Sequence, residues 1–253
     1  MGKNPRCQKY VNSLEHEAAP RKASTFRYAP YMPTAETSCV YCGAVATTDD
    51  HIPPNTLFKG AGGKRITVRS CAACNQGASL DDEYFRDMMA LRADLDDEPP
   101  IQDLRAAMLR GLARPKFRGR ITTIMAGLRS VQIRTPAGLH LGSGPAVTIE
   151  AARIERVTQR IVRGLFFHHR RSMLPVAYET RTTEVRWDDR ECVAMIERHF
   201  AHRKGFELGD GVFTYWWLEA SGDRDTTEWL FCFYRRVWFM GFTLPLAGPP
   251  PAG

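Results

Sequence analysis

Two pairs of cysteines, each with two residues between its members, constrain the fold of this chain more than any other feature. Cys39 pairs with Cys42, and Cys71 with Cys74. A Cys-x-x-Cys turn directs two sulfurs toward one ion, and two such turns supply the four ligands of a tetrahedral structural zinc site. We therefore predict that Zn²⁺ organises the segment between the pairs, which is too short to form a core of its own. Two disulfides, or unrelated buried thiols, are the alternatives.

The composition is that of a soluble protein with a sizeable core. The chain has 253 residues, 43% of them hydrophobic, and its basic start is not followed by the apolar stretch of a secretory signal. The most apolar region, residues 229–246, contains two arginines and alternates too strongly for a membrane-spanning helix. We expect a cytoplasmic protein without membrane contact, in which Cys7, Cys192 and Cys232 stay unpaired.

The positive charge is concentrated in one part of the chain. The net charge is +7, and residues 99–175 alone contain 14 lysines and arginines against 3 acidic residues. Arginine-rich surfaces of this kind bind the phosphate backbone of nucleic acid. The predicted contacts are Arg105, Arg110, Arg114, Lys116, Arg118 and Arg120. The alternative is a solvated helical face that aids solubility.

Changes of composition divide the chain into four parts. Residues 1–38 form a polar arm, residues 39–98 a zinc module, residues 99–245 a basic helical and antiparallel β domain, and residues 246–253 a flexible tail. Aromatic residues at every second position near the end of the third part predict an antiparallel sheet. The expected fold class is therefore α+β, with the zinc module followed by a mixed domain.

Local patterns predict two further elements. Ser79 followed by acidic residues is typical of a helix start, so Asp82 and Glu83 belong to a first turn or supply a metal ligand. Apolar residues alternate on both sides of residues 136–138, from about Ser130 to Leu141. Because Pro and Gly separate the two runs, a β-hairpin is expected there.

Residues inside and beside the cysteine pairs form a second motif. Asp50-His51-Ile52-Pro53-Pro54 lies between the pairs, Asn75 follows the last cysteine, and Ser79-Leu80-Asp81-Asp82-Glu83 comes next. With the cysteines, these residues resemble the HNH endonucleases over about residues 39–90. The resemblance implies a ββα-metal fold built on a treble-clef zinc finger, and an endonuclease activity.

The resemblance also implies roles for three residues. His51 would be the general base that deprotonates water, and Asp50 and Asn75 would hold a catalytic Mg²⁺ or Mn²⁺ ion. The residue types suit these roles, because carboxylate and amide oxygens bind such ions and an imidazole accepts a proton near neutral pH. The alternatives are that His51 is a zinc ligand or a surface histidine, and that Asn75 caps the following helix.

One part of the family pattern is missing from this chain. HNH enzymes usually carry a middle Asn or His that orients the general base, but residues 59–70 contain neither. We expect a backbone carbonyl of residues 65–67, or Asn55, to orient the imidazole of His51. The predicted function is metal-dependent cleavage of DNA, with RNA as a possible substrate. The alternative is a non-catalytic treble-clef zinc protein that binds nucleic acid or a protein partner.

Overall fold

A β-hairpin followed by a long helix contains both cysteine pairs. The computed structural model describes residues 37–114, 118–135, 137–186 and 189–246. Strand β1 (Thr48–Ile52) pairs antiparallel with β2 (Ile66–Ser70), and helix α1 (Ala72–Ala90) follows β2 directly. Almost all of the predicted arm and tail lies outside the described residues, as do Cys7 and Lys116.

Helix α1 begins at Ala72, seven residues before the predicted start at Ser79. Its N-cap is Cys71, whose Sγ accepts a hydrogen bond from the backbone N–H of Cys74 at 3.4 Å. Ser79 lies inside the helix, where its hydroxyl donates to the carbonyl oxygen of Gln76 at 2.8 Å. The prediction was wrong because Ser is a common capping residue, whereas Cys is not among the preferred ones.

The remaining elements lead to a five-stranded sheet. They are α2 (Pro99–Leu112), α3 (Arg118–Ala126), β3 (Leu128–Arg134), β4 (His140–Val147), α4 (Ala151–Arg170), β5 (Tyr178–Glu184), α5 (Arg190–Phe200), β6 (Phe206–Leu208), β7 (Phe213–Ala220), β8 (Asp223–Phe233) and β9 (Val237–Pro245). The last five strands form an antiparallel sheet in the order β5-β9-β8-β7-β6. The predicted α+β class with an antiparallel C-terminal sheet is confirmed.

Helices cover both faces of the five-stranded sheet. On one face, Ile161 of α4 belongs to a hydrophobic cluster that also contains Phe85 of α1. On the other face, Ile196 of α5 packs in a second cluster with Met240 of β9. Because the first cluster draws its members from residues 40–239, the zinc module and the sheet share one core.

Helix α4 lies directly against the β1–β2 hairpin. A Cβ atom at Gly164 would lie 2.5 Å from Cγ1 of Ile52, so this approach requires glycine. The helix buries Val157, Ile161 and Leu165 at helical spacing, as an amphipathic helix does. Within the described residues, no helix combines the length and the apolar character needed to cross a bilayer.

Candidate metal centre and adjoining polar site

The four cysteines of the two pairs converge on one point. Their sulfur atoms all lie within 4.8 Å of one another. The Sγ atoms of Cys42 and Cys71 are 3.7 Å apart, close to the separation of about 3.8 Å between two sulfurs bound at about 2.3 Å to tetrahedral zinc. The six cysteines that the structure describes are all free thiols, which excludes the disulfide alternative. The donor set therefore fits a structural Zn²⁺ ion.

A tight turn presents the first cysteine pair. The backbone N–H of Gly43 donates to the carbonyl oxygen of Cys39 at 2.8 Å, and Gly43 has a φ of +77°, which glycine adopts without strain. Burial raises the pKa of the Cys39 thiol, but the backbone N–H groups of Cys71, Tyr41 and Cys42 outweigh burial and bring that pKa to about 6. The turn thus favours the thiolate, which is the form that binds zinc.

Asp50 lies in a buried network of polar side chains. Its Oδ2 atom accepts a hydrogen bond from the hydroxyl of Tyr41 at 2.7 Å and lies 3.3 Å from Nε of Arg160. Arg160 also binds Oδ2 of Asp82 through Nη2 at 2.6 Å. The side chains of Asp50 and Arg160 are only 7% and 10% exposed. Two carboxylates therefore share one guanidinium inside the protein.

The shared guanidinium does not neutralise both carboxylates. Burial raises the pKa of Asp82 to about 6 although Arg160 acts in the opposite direction, and the charge of Asp50 adds to the rise. The Oδ1 atom of Asp82 is buried without a hydrogen-bond partner. Oδ1 of Asp50 has no hydrogen bond to any described residue. Because one negative charge remains uncompensated, this network favours an additional proton or cation.

His51 projects from β1 on the side opposite Asp50. Successive residues of a strand point to opposite faces, and the alternating burial of β1 agrees with this arrangement. The side chain of His51 is half-buried and makes no hydrogen bond to any residue in the described ranges, so neither Asn55 nor a carbonyl of residues 65–67 orients the imidazole. It is not part of the cysteine cluster, which argues against the zinc-ligand alternative.

Asn75 connects the first turn of α1 to β1. Its Nδ2 atom donates to Oγ1 of Thr48 and to the carbonyl oxygen of Asp49, both at 3.1 Å. The cap of α1 is Cys71, so the capping alternative for Asn75 is wrong. With its amide nitrogen bound to the strand, Asn75 keeps Oδ1 without a hydrogen bond to the described residues. That oxygen is available to bind a metal ion.

Sequence reasoning did not identify Tyr41 and Arg160 as part of this site. A partial signal existed, because α1 carries adjacent acidic residues and α4 carries arginines at three- and four-residue spacing. Asp81 binds Nε of Arg153 at 2.8 Å and Nε of Arg156 at 2.6 Å, beside the pair formed by Asp82. The two helices are therefore joined by a row of ion pairs.

Arg160 is expected to be the most important of these arginines for stability. We expect Arg160→Met to lower the free energy of unfolding by about 3 kcal/mol, because it leaves two buried carboxylates without their cation. Urea unfolding at pH 7 measures the loss. The matched control is Arg156→Met, which removes an exposed guanidinium from the same helix and should leave stability nearly unchanged. Equal losses in the two variants would contradict the shared ion pair.

The predicted phosphate contacts occupy different environments. Arg105 donates through Nε to the carbonyl oxygen of Ala90 and through Nη2 to that of Arg92, both at 2.6 Å. These are carbonyls at the C-terminal end of α1, where a cation is favourable. Arg118 and Arg120 belong to α3, and the description of the structure does not extend to their side chains. Arg105 therefore supports the fold.

Arg110 and Arg114 line a cavity of about 700 Å³ between the β1–β2 loop and helix α2. Three further cationic side chains line it: Lys59, Arg65 and Arg86. The guanidinium of Arg65 donates to the carbonyl oxygen of Gly62 at 2.8 Å, and Arg86 binds Asp87 at 2.8 Å. The cavity is thus rich in positive charge and suits an anion.

The structure shows no direct hydrogen bond among the side chains of Asp50, His51 and Asn75. Asn75 binds the backbone of Asp49, the residue before Asp50, whereas His51 lies on the other side of the strand. Comparisons with protein-family models, with curated proteins and with solved structures found no match. The resemblance to the HNH endonucleases is therefore carried by the motif residues alone.

Proposed function

We propose that this protein is a metal-dependent endonuclease that hydrolyses phosphodiester bonds in DNA with an HNH-type site. The observation that carries the proposal is the attachment of Asn75 to β1. Its amide nitrogen is bound to the strand that contains Asp50 and His51, while its oxygen stays without a partner in the described residues. The amide oxygen therefore lies beside the strand that contains the other two motif residues, where it can bind a cation.

Asp50 and Asn75 would hold the catalytic Mg²⁺ or Mn²⁺ ion through oxygen atoms. The Oδ2 atom of Asp50 is fixed by Tyr41 and Arg160, which leaves Oδ1 as the oxygen that can reach an ion. Carboxylate and amide oxygens are the ligands that these hard cations prefer. When bound, such an ion neutralises charge that develops on the phosphate.

His51 would take the proton from the attacking water. Its imidazole is half-buried and makes no hydrogen bond to the described residues, so a ring nitrogen is open to solvent. As the water oxygen bonds to phosphorus, the proton passes to His51 and one phosphorus–oxygen bond breaks. The departing oxygen then takes up a proton, which yields one phosphate end and one hydroxyl end.

A non-catalytic zinc protein that binds nucleic acid is the second candidate function. It is favoured by one observation, the lack of a described residue that orients the imidazole of His51. A general base usually depends on a neighbour that fixes its ring, as in catalytic triads. In a protein that only binds, this orientation would not be needed.

Plasmid cleavage at controlled metal concentration separates the two functions. Supercoiled plasmid is expected to be nicked with added Mn²⁺ or Mg²⁺ and to stay intact after the added ion is removed, because the phosphate then lacks its neutralising cation. Zinc content is measured in both samples, so that loss of the structural ion is not mistaken for loss of the catalytic one. Plasmid that stays intact under all conditions, although the protein binds it, would instead support the second candidate.

A further inference from the structure

Strands β3 and β4 form a two-stranded ribbon apart from the main sheet. They pair with each other antiparallel, and within the described residues no third strand joins them. All seven residues of β3 are exposed, and those of β4 are exposed or half-exposed. Among the described residues of the two hydrophobic clusters, none comes from the ribbon. Both faces of the ribbon are therefore accessible to a partner.

The ribbon belongs to a stretch of chain without acidic residues. Between Asp103 and Glu150 the sequence contains no Asp or Glu but eight lysines and arginines. Arg129 and Arg134 lie in β3, and His140 begins β4. A solvated surface usually mixes both signs of charge, whereas a surface of one sign attracts a partner of the opposite sign. The positive charge of this stretch therefore indicates a polyanionic partner.

The two faces of the ribbon differ in chemistry. Residues directly opposite in an antiparallel pair share a face, so Gln132 and Ser143 lie on one face. Ser130 and Arg134 lie on the same face, and Nη2 of Arg134 donates to Oε1 of Gln132 at 2.8 Å. Leu128, Val147 and Pro145 also lie on this face, so its hydrogen-bonding side chains are grouped from Ser130 to Arg134 on β3 and at Ser143 on β4.

The opposite face is shallow and, apart from Arg129 opposite Ala146 near one end, apolar. Val131 lies across from Gly144, and Ile133 from Gly142. A Cβ atom at Gly144 would lie 2.9 Å from Cδ1 of Ile133, so the isoleucine already packs over the glycine. With small residues opposite its apolar side chains, this face keeps the ribbon thin.

The size and charge of the ribbon fit the major groove of double-stranded DNA. Seven paired positions span about 23 Å, at about 3.3 Å for each residue. The major groove is about 12 Å wide and admits a two-stranded β-ribbon. Gln and Arg are side chains that form paired hydrogen bonds with adenine and guanine edges in that groove.

We propose that the β3–β4 ribbon enters the major groove of double-stranded DNA with its polar face against the base edges. Arg129, on the outward face near one end of the ribbon, then contacts a phosphate that borders the groove. This inference rests on the proposed function and specifies its substrate as double-stranded DNA. An RNA duplex does not suit the ribbon, because its major groove is too narrow for side chains to contact the bases.

Binding of a labelled duplex to the full chain tests the ribbon. Measurements use the His51→Ala background without added Mg²⁺ or Mn²⁺, so that cleavage of the DNA is not expected during the measurement. We expect Arg129→Gln with Arg134→Gln to weaken binding about tenfold and to reduce the slope of log affinity against log salt by about 1, since Arg129 is the phosphate contact of the two and each phosphate contact contributes about 0.9. Thermal unfolding checks that the variant remains folded.

The control variant removes the same number of positive charges from a different surface of the protein. Arg198→Gln with Arg203→Gln removes two exposed arginines in and after α5, which lies on the sheet face opposite α4. This variant should keep the affinity and the salt slope of the parent protein. Equal behaviour of the ribbon variant and the control would overturn the proposal.

Chemical interference shows which groove is occupied. Methylation of guanine N7, which lies in the major groove, should weaken binding of the parent protein. The effect should be smaller for Arg134→Gln, which lacks the side chain proposed to contact guanine edges. Insensitivity of the parent protein to N7 methylation would overturn the proposal.

Three further outcomes are decisive. Tighter binding of duplex RNA than of duplex DNA would overturn the ribbon proposal. So would a ribbon variant that changes the oligomeric state in sedimentation but not the affinity for DNA, since the ribbon would then join two copies of the chain. Ribbon-dependent binding by a protein that never cuts would support the ribbon and refute the nuclease.

Discussion

Replacing Cys71 with serine is expected to release zinc and to unfold the module formed by β1, β2 and α1. Cys71 supplies one of four converging sulfurs and also caps α1. Metal binding contributes roughly 10–16 kcal/mol of apparent free energy to small zinc modules, which is comparable to the whole stability of a typical domain. Zinc content and thermal unfolding by circular dichroism measure the effect.

The loss of structure in Cys71→Ser should extend beyond β1, β2 and α1. Phe85 of α1 packs edge-to-face on Phe233 of β8 with ring centroids 5.2 Å apart, so disorder of α1 removes contacts from the sheet. Cys192→Ser is the matched control, because Cys192 is also buried but lies outside the cysteine cluster. It should keep its zinc. A Cys71→Ser protein that also retains zinc and melts like the parent would contradict the zinc site.

Replacing His51 with alanine is expected to lower the rate of plasmid cleavage about 10³-fold, within the range of 10² to 10⁴ that general base catalysis contributes. The side chain is half-buried and contacts no other polar group in the described residues, so its removal should leave stability and DNA affinity unchanged. Single-turnover nicking at saturating Mn²⁺ measures the rate, and filter binding measures the affinity.

Two comparisons distinguish a general base from an incidental histidine. His202→Ala removes an exposed histidine after α5 and should cut at the parental rate. Added imidazole should partly restore cleavage by His51→Ala, because a small base can enter the space that the side chain leaves. Cleavage by His51→Ala at the parental rate would remove the assignment of His51 as the base.

Patterns of neighbouring residues were sufficient to predict the elements that depend mainly on their own segment of the chain. The spacing of the cysteines was sufficient to predict that Cys39, Cys42, Cys71 and Cys74 converge. Alternation along the chain predicted the hairpin near residues 130–141, and the structure has β3 and β4 there. Both signals arise from neighbouring residues, because a turn or a strand is determined mainly by the backbone preferences of its own segment.

Contacts between distant segments could not be predicted in this way. Arg160 reaches Asp50 only because α4 packs against the hairpin, and their separation in sequence gives no sign of that contact. Arg105 was predicted to bind phosphate, yet its guanidinium donates to the carbonyls of Ala90 and Arg92. A basic residue on a helix has the same sequence pattern whether it faces solvent or the end of another helix.

Helix α4 links the ribbon to Asp50, because it follows β4 in the chain and carries Arg160. Strand β4 ends at Val147, and α4 begins at Ala151 after three intervening residues. The last of these is Glu150, whose backbone N–H donates to the hydroxyl of Tyr84 at 2.7 Å. Arg160 follows about two and a half turns along the same helix. In the proposed complex with DNA, the angle between the ribbon and α4 would therefore set the direction from which a duplex approaches the hairpin, and it would limit which bond along the DNA can reach His51.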